Sequence, residues 1–153
     1  MLQQFDILLV DDSATDAMVF TNALHEVYPS ANAYWVSSGE DAIAFLRQEG
    51  EFCDMGRVKL VVLDLNMPGL NGIETLRLIK SIPAVNLLPV VLLSGSRARR
   101  DIDLAYSLGA SVFFRKLTVL EDYLEEVRVL VQHWLRFAEL PSICTSKSRM
   151  LPE

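Results

Sequence analysis

The sequence is poor in the residues that build most metal centres and disulfide frameworks. Two cysteines, Cys53 and Cys144, and two histidines, His25 and His133, are scattered over 153 residues. None has a partner at ligand spacing, which excludes a thiolate or imidazole metal site and a disulfide scaffold; both cysteines read as reduced thiols. Positive charge is also in deficit: 14 Lys and Arg face 20 Asp and Glu, a net charge of -6. A domain that binds nucleic acid through its surface field is usually basic, so nucleic acid is not an expected partner. No apolar run reaches membrane-spanning length. Met1 to Phe5 lacks the basic and apolar regions of a signal peptide, so the expectation is a cytoplasmic chain without a membrane partner. There is no internal repeat and no low-complexity segment.

What the chain does have is apolar material in a regular order. It is 51% hydrophobic and 22% charged, enough to bury a full core. Five short apolar runs read as strands: Phe5 to Val10, Ala31 to Val36, Lys59 to Asp64, Leu87 to Leu93 and Ser111 to Phe114. Helical patterns separate them. The first opens at Ser13, with Ala17, Phe20, Ala23, Leu24 and Val27 at helical spacing, and stops before Pro29. The second starts at Ser38 with Ala42, Ile43, Phe45 and Leu46 inward. The third runs from Gly72 to Ser81 and the fourth from Arg97 to Leu108. The last opens on an apparent capping box, Thr118-Val119-Leu120-Glu121, and extends to Phe137. This alternation predicts an α/β fold: a doubly wound, five-stranded parallel sheet with an extended last helix. The first, third and fourth runs are the most apolar, as central strands are, which fits the flavodoxin-like order 2-1-3-4-5. Residues 1–140 form the expected domain and 141–153 a polar tail.

In such a sheet the carboxyl ends of the strands share one edge, where ligands bind. Asp11 and Asp12 end the first run, Asp64 the third and Ser94 the fourth, and Lys116 follows the fifth. A carboxylate can attack phosphorus and form an aspartyl phosphate, with Asp64 as the nucleophile. Bare carboxylates repel an anionic phosphoryl group unless a divalent cation bridges the two. Mg²⁺, or Mn²⁺ with a similar oxygen preference, suits Asp11, Asp12 and Asp64. Lys116 and the Ser94 hydroxyl can each take a phosphoryl oxygen, and Gly95 leaves room for it. Taken singly these residues have plainer readings. The acid pair fits a helix N-terminus, Asp64 a turn, Ser94 a helix cap and Lys116 a solvated strand end.

The segments Leu8-Leu9-Val10-Asp11-Asp12-Ser13, Val62-Leu63-Asp64-Leu65-Asn66-Met67-Pro68-Gly69, Leu92-Leu93-Ser94-Gly95-Ser96 and Phe113-Phe114-Arg115-Lys116 resemble the receiver domain of two-component response regulators. The likeness spans roughly residues 5 to 138. It implies a receiver fold in which Asp64 takes a phosphoryl group from a sensor histidine kinase. It further implies that Asp12, Asp64 and the backbone carbonyl of Asn66 bind the metal, with Asp11 acting mostly through water. Ser94 would be the switch hydroxyl, Lys116 the phosphoryl partner and Phe113 the switch aromatic. One departure stands out: Leu117 occupies the place where the family usually has a proline after a cis peptide bond. A cis bond before a non-proline costs about 2.5–4 kcal/mol, so either the bond is trans and the following loop is rebuilt, or the surrounding packing holds the strain.

With no output domain evident, the signal is expected to leave through the receiver surface. Leu120, Leu124, Val127, Val131 and Trp134 make one apolar face of the last helix, and Tyr123, Leu130 and Phe137 a second. The second face suggests a homodimer through the fourth helix, fifth strand and fifth helix, or packing against a neighbouring helix or the tail. The long last helix with Trp134 and the segment Leu76-Arg77-Leu78-Ile79-Lys80-Ser81 is similar to the small response regulators of phytochrome-type histidine kinases. An aspartate-nucleophile phosphatase needs a second aspartate two residues after the first, where this chain has Asn66. A flavin carrier is disfavoured because Asp11 and Asp12 repel its phosphate. The expected role is therefore a phosphoacceptor signalling protein rather than an enzyme. A phosphorylation-independent adaptor or dimerisation module is the alternative.

Overall fold

A computed structural model describes residues 5–55 and 57–141. The expectations for Cys144 and the tail, and for the side chain of Phe137, lie outside the described residues. Five strands alternate with five helices: β1 (Asp6–Val10), α1 (Ala14–Val27), β2 (Asn32–Val36), α2 (Gly39–Leu46), β3 (Leu60–Leu63), α3 (Gly72–Ser81), β4 (Val90–Ser94), α4 (Arg99–Ser107), β5 (Val112–Arg115) and α5 (Leu120–Val131). All strand pairs are parallel and the order is β2-β1-β3-β4-β5, as the run hydrophobicities predict. This is the flavodoxin-like receiver fold.

Alternation along the strands divides the core into two layers. Leu8, Val10, Val61, Leu63, Val90 and Leu92 face α2, α3 and α4, meeting Ala42, Phe45, Leu76, Ile79 and Ala105. Ile7, Leu9, Val62, Val91 and Leu93 face α1 and α5, meeting Phe20, Leu24, Val127 and Leu130. Ser13, Ser38 and Asn71 cap α1, α2 and α3, each accepting from the backbone N–H three residues on.

Three expectations need correction. The fourth strand begins at Val90 rather than Leu87, whose side chain is largely exposed. The Lys80 ammonium donates to the carbonyls of Asn86 and Leu88 and pins that segment as a loop. The capping box at Thr118 is not formed: α5 starts at Leu120, and Val119 occupies the cap position without a side-chain bond. The α5 stripes are also rearranged. Tyr123, Val127, Leu130 and Val131 are buried, whereas Leu120 is 57% exposed. Their spacing of four, seven and eight residues from Tyr123 forms one ordinary core-facing stripe against α1 and the sheet. Tyr123 and Leu130 are thus core residues and are unavailable as a dimer face. Beyond α5 the chain widens into a π-helical turn (Gln132–Phe137), where the Ala138 N–H bonds to the His133 carbonyl.

Candidate functional site

The carboxyl ends of β1, β3, β4 and β5 bring the expected residues together. At the end of β1 the Asp11 side chain is buried and Asp12 is exposed. Backbone pairing carries the chain one residue past each strand, with Asp11 N–H donating to the Val36 carbonyl and Asp64 N–H to the Val10 carbonyl. Asp11 is further held by the Ser13 N–H, which donates to Oδ1 at 2.9 Å, and the Trp35 indole donates to its carbonyl at 2.7 Å. Asp64 is buried and accepts from the Asn66 N–H at 3.2 Å. Gly72 lets α3 lie directly on this strand end; a Cβ there would collide with the Asp64 carbonyl and the Leu65 Cα.

Carboxylate oxygens of Asp11, Asp12 and Asp64 all lie within 4.8 Å of one another. Such an all-oxygen set fits Mg²⁺ or Mn²⁺ and offers nothing to a softer metal. Opposite it, Lys116 Nζ sits 2.9 Å from Asp11 Oδ2, 3.0 Å from Asp16 Oδ2 and 3.5 Å from Asp64 Oδ2. Ser94 is fully buried at the end of β4. Its hydroxyl accepts from Asn66 Nδ2 and the Ser96 N–H, both at 3.3 Å, and its carbonyl accepts the Lys116 N–H at 2.8 Å. A Cβ on Gly95 would meet nothing within 4 Å, so the space beside Ser94 is open.

Burial pushes the Asp11 carboxyl above its ordinary value, although the Lys116 and Ser13 hydrogen bonds oppose the rise. Burial works against the Lys116 charge, but its hydrogen bond to Asp11 and the charges of Asp64 and Asp11 outweigh it, so the ammonium is held more firmly than usual. Burial likewise raises the Tyr123 phenol, with Lys116 opposing and Asp16, Asp11 and Glu126 adding to the rise.

Phe113 is half-buried on β5, and its N–H donates to the Tyr106 hydroxyl of α4 at 3.0 Å. Asp16 and Tyr123 are the site neighbours that the sequence reading missed. Asp16 reads as a first-turn helix acid, and Tyr123 as one apolar residue in a helix with two stripes. Only its position on the turn facing the sheet edge marks Asp16 as a partner for Lys116.

This combination of sheet order and acid–hydroxyl–lysine edge fits a receiver domain. The response regulator receiver domain family matches residues 7–128, and the chain belongs to it. It is similar to Response regulator Rcp1 of Synechocystis sp., with 33% identity over 136 residues, covering 89% of this chain and 92% of that one. The phosphorylated cyanobacterial phytochrome response regulator RcpA superposes with a TM-score of 0.88 at 36% identity, covering 92% of this chain and all of that one (100%). The Mn²⁺-bound form of Rcp1 gives a TM-score of 0.86 at 33% identity, covering 90% and 99%. The chain is thus related to phytochrome response regulators. Among the described residues, no helix is long and apolar enough to cross a membrane.

Proposed function

We propose that this chain is a cytoplasmic response regulator in which Asp64 accepts a phosphoryl group from a sensor histidine kinase of the phytochrome type. The observation that carries the reading is the position of Lys116, 3.5 Å from Asp64 Oδ2, while Asp64 shares an oxygen cluster with Asp11 and Asp12. An Asp64 oxygen attacks the phosphorus of a phosphohistidine; the P–O bond forms, the P–N bond breaks, and the imidazole leaves and takes up a proton. Asp11, Asp12, Asp64 and the backbone carbonyl of Asn66 are the groups that would hold the Mg²⁺ or Mn²⁺. When bound, the ion offsets the charge of the carboxylates and the phosphoryl oxygens. Lys116 and the Ser94 hydroxyl take two phosphoryl oxygens, for which Ser94 gives up its present orientation toward Asn66.

That reorientation reaches β5 through the register pair of Ser94 and Arg115, two residues beyond Phe113, which itself pairs with Leu92. Phe113 acts by burial alone, having no hydroxyl. The output face comprises α4, β5 and α5, and a homodimer forms through it. The exposed apolar residues Leu104 and Tyr106 of α4 and Leu120 of α5 take the place of Tyr123 and Leu130 in that contact. The proposal is supported by the resemblance to RcpA and Rcp1 across nearly the whole length of each.

The test is transfer of radiolabelled phosphate from an autophosphorylated phytochrome-type histidine kinase. Label moves to the wild type and not to Asp64→Asn. Label that stays on every such kinase, in the presence of Mg²⁺, would contradict the assignment of the donor.

A further inference from the structure

Leu117 gives the loop after β5 a backbone N–H that a proline would lack. The described peptide bonds are all trans, and this N–H donates to Glu126 Oε1 at 3.2 Å. Glu126 lies nine residues on, in the second turn of α5, and is half-buried. Burial raises its carboxyl, while the Leu117 N–H and the charge of Lys116 hold it down. Leu117 is 42% exposed, so packing holds it only in part. The fixings of this loop are therefore polar: Lys116 N–H on the Ser94 carbonyl, Lys116 Nζ on Asp11 and Asp16, and Leu117 N–H on Glu126.

We propose that Glu126 is a positioning residue for Lys116, fixing the Leu117 amide in the role that a proline would otherwise fill. Its carboxylate bonds to the residue after the lysine and sets where the lysine leaves the backbone. It makes no hydrogen bond to Asp64 or to Lys116 Nζ, so it acts through the loop. A free Leu117 amide lets the chain around Lys116 sample other directions, and the ammonium then spends less time over Asp64. The inference rests on the phosphoacceptor reading given above.

The experiment follows phosphoryl uptake from acetyl phosphate at saturating Mg²⁺, Mg²⁺ affinity, and hydrogen exchange of the Leu117 amide. Glu126→Ala slows uptake about three- to tenfold, less than the full worth of one hydrogen bond to a charged group, because the effect reaches Lys116 only through the loop. Mg²⁺ affinity does not fall, because the metal ligands stand on other strands and a less firmly held ammonium competes no better for them. Glu126→Gln keeps an acceptor and restores uptake to near the wild-type rate, which separates the bond from the charge. In Leu117→Pro, Glu126→Ala has no further effect. The Leu117 amide is protected in wild type and Glu126→Gln and exposed in Glu126→Ala, whether or not Asp64 is modified. Wild type that forms an adduct while Glu126→Ala matches its rate overturns this inference alone. A Leu117 amide unprotected in wild type does the same. Wild type that forms no adduct overturns the phosphoacceptor reading and this one with it.

Discussion

Lys116 and Asp16 are 100 residues apart in the chain and 3.0 Å apart in the fold. Asp11 and Asp64 close around the same ammonium, so a single cation balances three carboxylates at the sheet edge. The lysine side chain is 15% exposed, and its removal leaves Asp11 and Asp64 largely buried without compensation.

Lys116→Ala should therefore cost about 2 kcal/mol of stability in metal-free buffer, less than a fully buried pair because Asp16 is partly solvated. Mg²⁺ should stabilise this variant more than wild type, since a second cation replaces the missing charge. Urea unfolding with and without Mg²⁺ measures both, and a variant as stable as wild type without metal would contradict the charge balance described here.

Asp11 supplies a prediction with a defined sign. Burial raises its carboxyl in the fold above the value of 3.8 that it has in the open chain. Stability from this group is complete below the open-chain value and is lost as pH rises through the folded one. The metal-free Asp11→Asn variant, which cannot ionise there, should gain on wild type between about pH 4 and about pH 7. Urea midpoints of both proteins at the two pH values give the comparison; a gain in the opposite direction would refute it.

Trp35 meets the Asp11 backbone from the sheet edge. Its indole donates to the Asp11 carbonyl at 2.7 Å, while the residue is 45% exposed. Addition of Mg²⁺ should change its emission, and Trp35→Phe should remove that change while leaving the Trp134 signal in place. Emission unaffected by saturating Mg²⁺ would place the metal away from Asp11.

The sheet and the principal site residues are legible in the sequence because both depend on strand ends. Apolar runs fix the strands, and a polar residue that ends such a run must emerge at the sheet edge. Asp11, Asp64 and Ser94 are all of this kind, and Lys116 follows one residue after β5. Asp16 and Glu126 are not, because each sits on a helix whose rotation about its axis decides what it faces. The same rotation decides α5. Tyr123 and Leu130 lie on one of two overlapping apolar stripes, and only packing against α1 and the sheet selects it. Leu87 extends an apolar run that the Lys80 ammonium, seven positions earlier, holds as a loop by its bond to the Leu88 carbonyl. Contacts of that sort leave no periodic trace.

Intact mass reads out whether Asp64 is the phosphoacceptor. Wild type and Asp64→Asn are incubated with Mg²⁺ and acetyl phosphate. One added phosphoryl group is expected on wild type and none on the variant. An adduct present on both proteins would contradict that assignment by placing the phosphoryl group on another residue; its absence from wild type, with Mg²⁺ binding verified, would contradict it and favour an adaptor that works without phosphorylation.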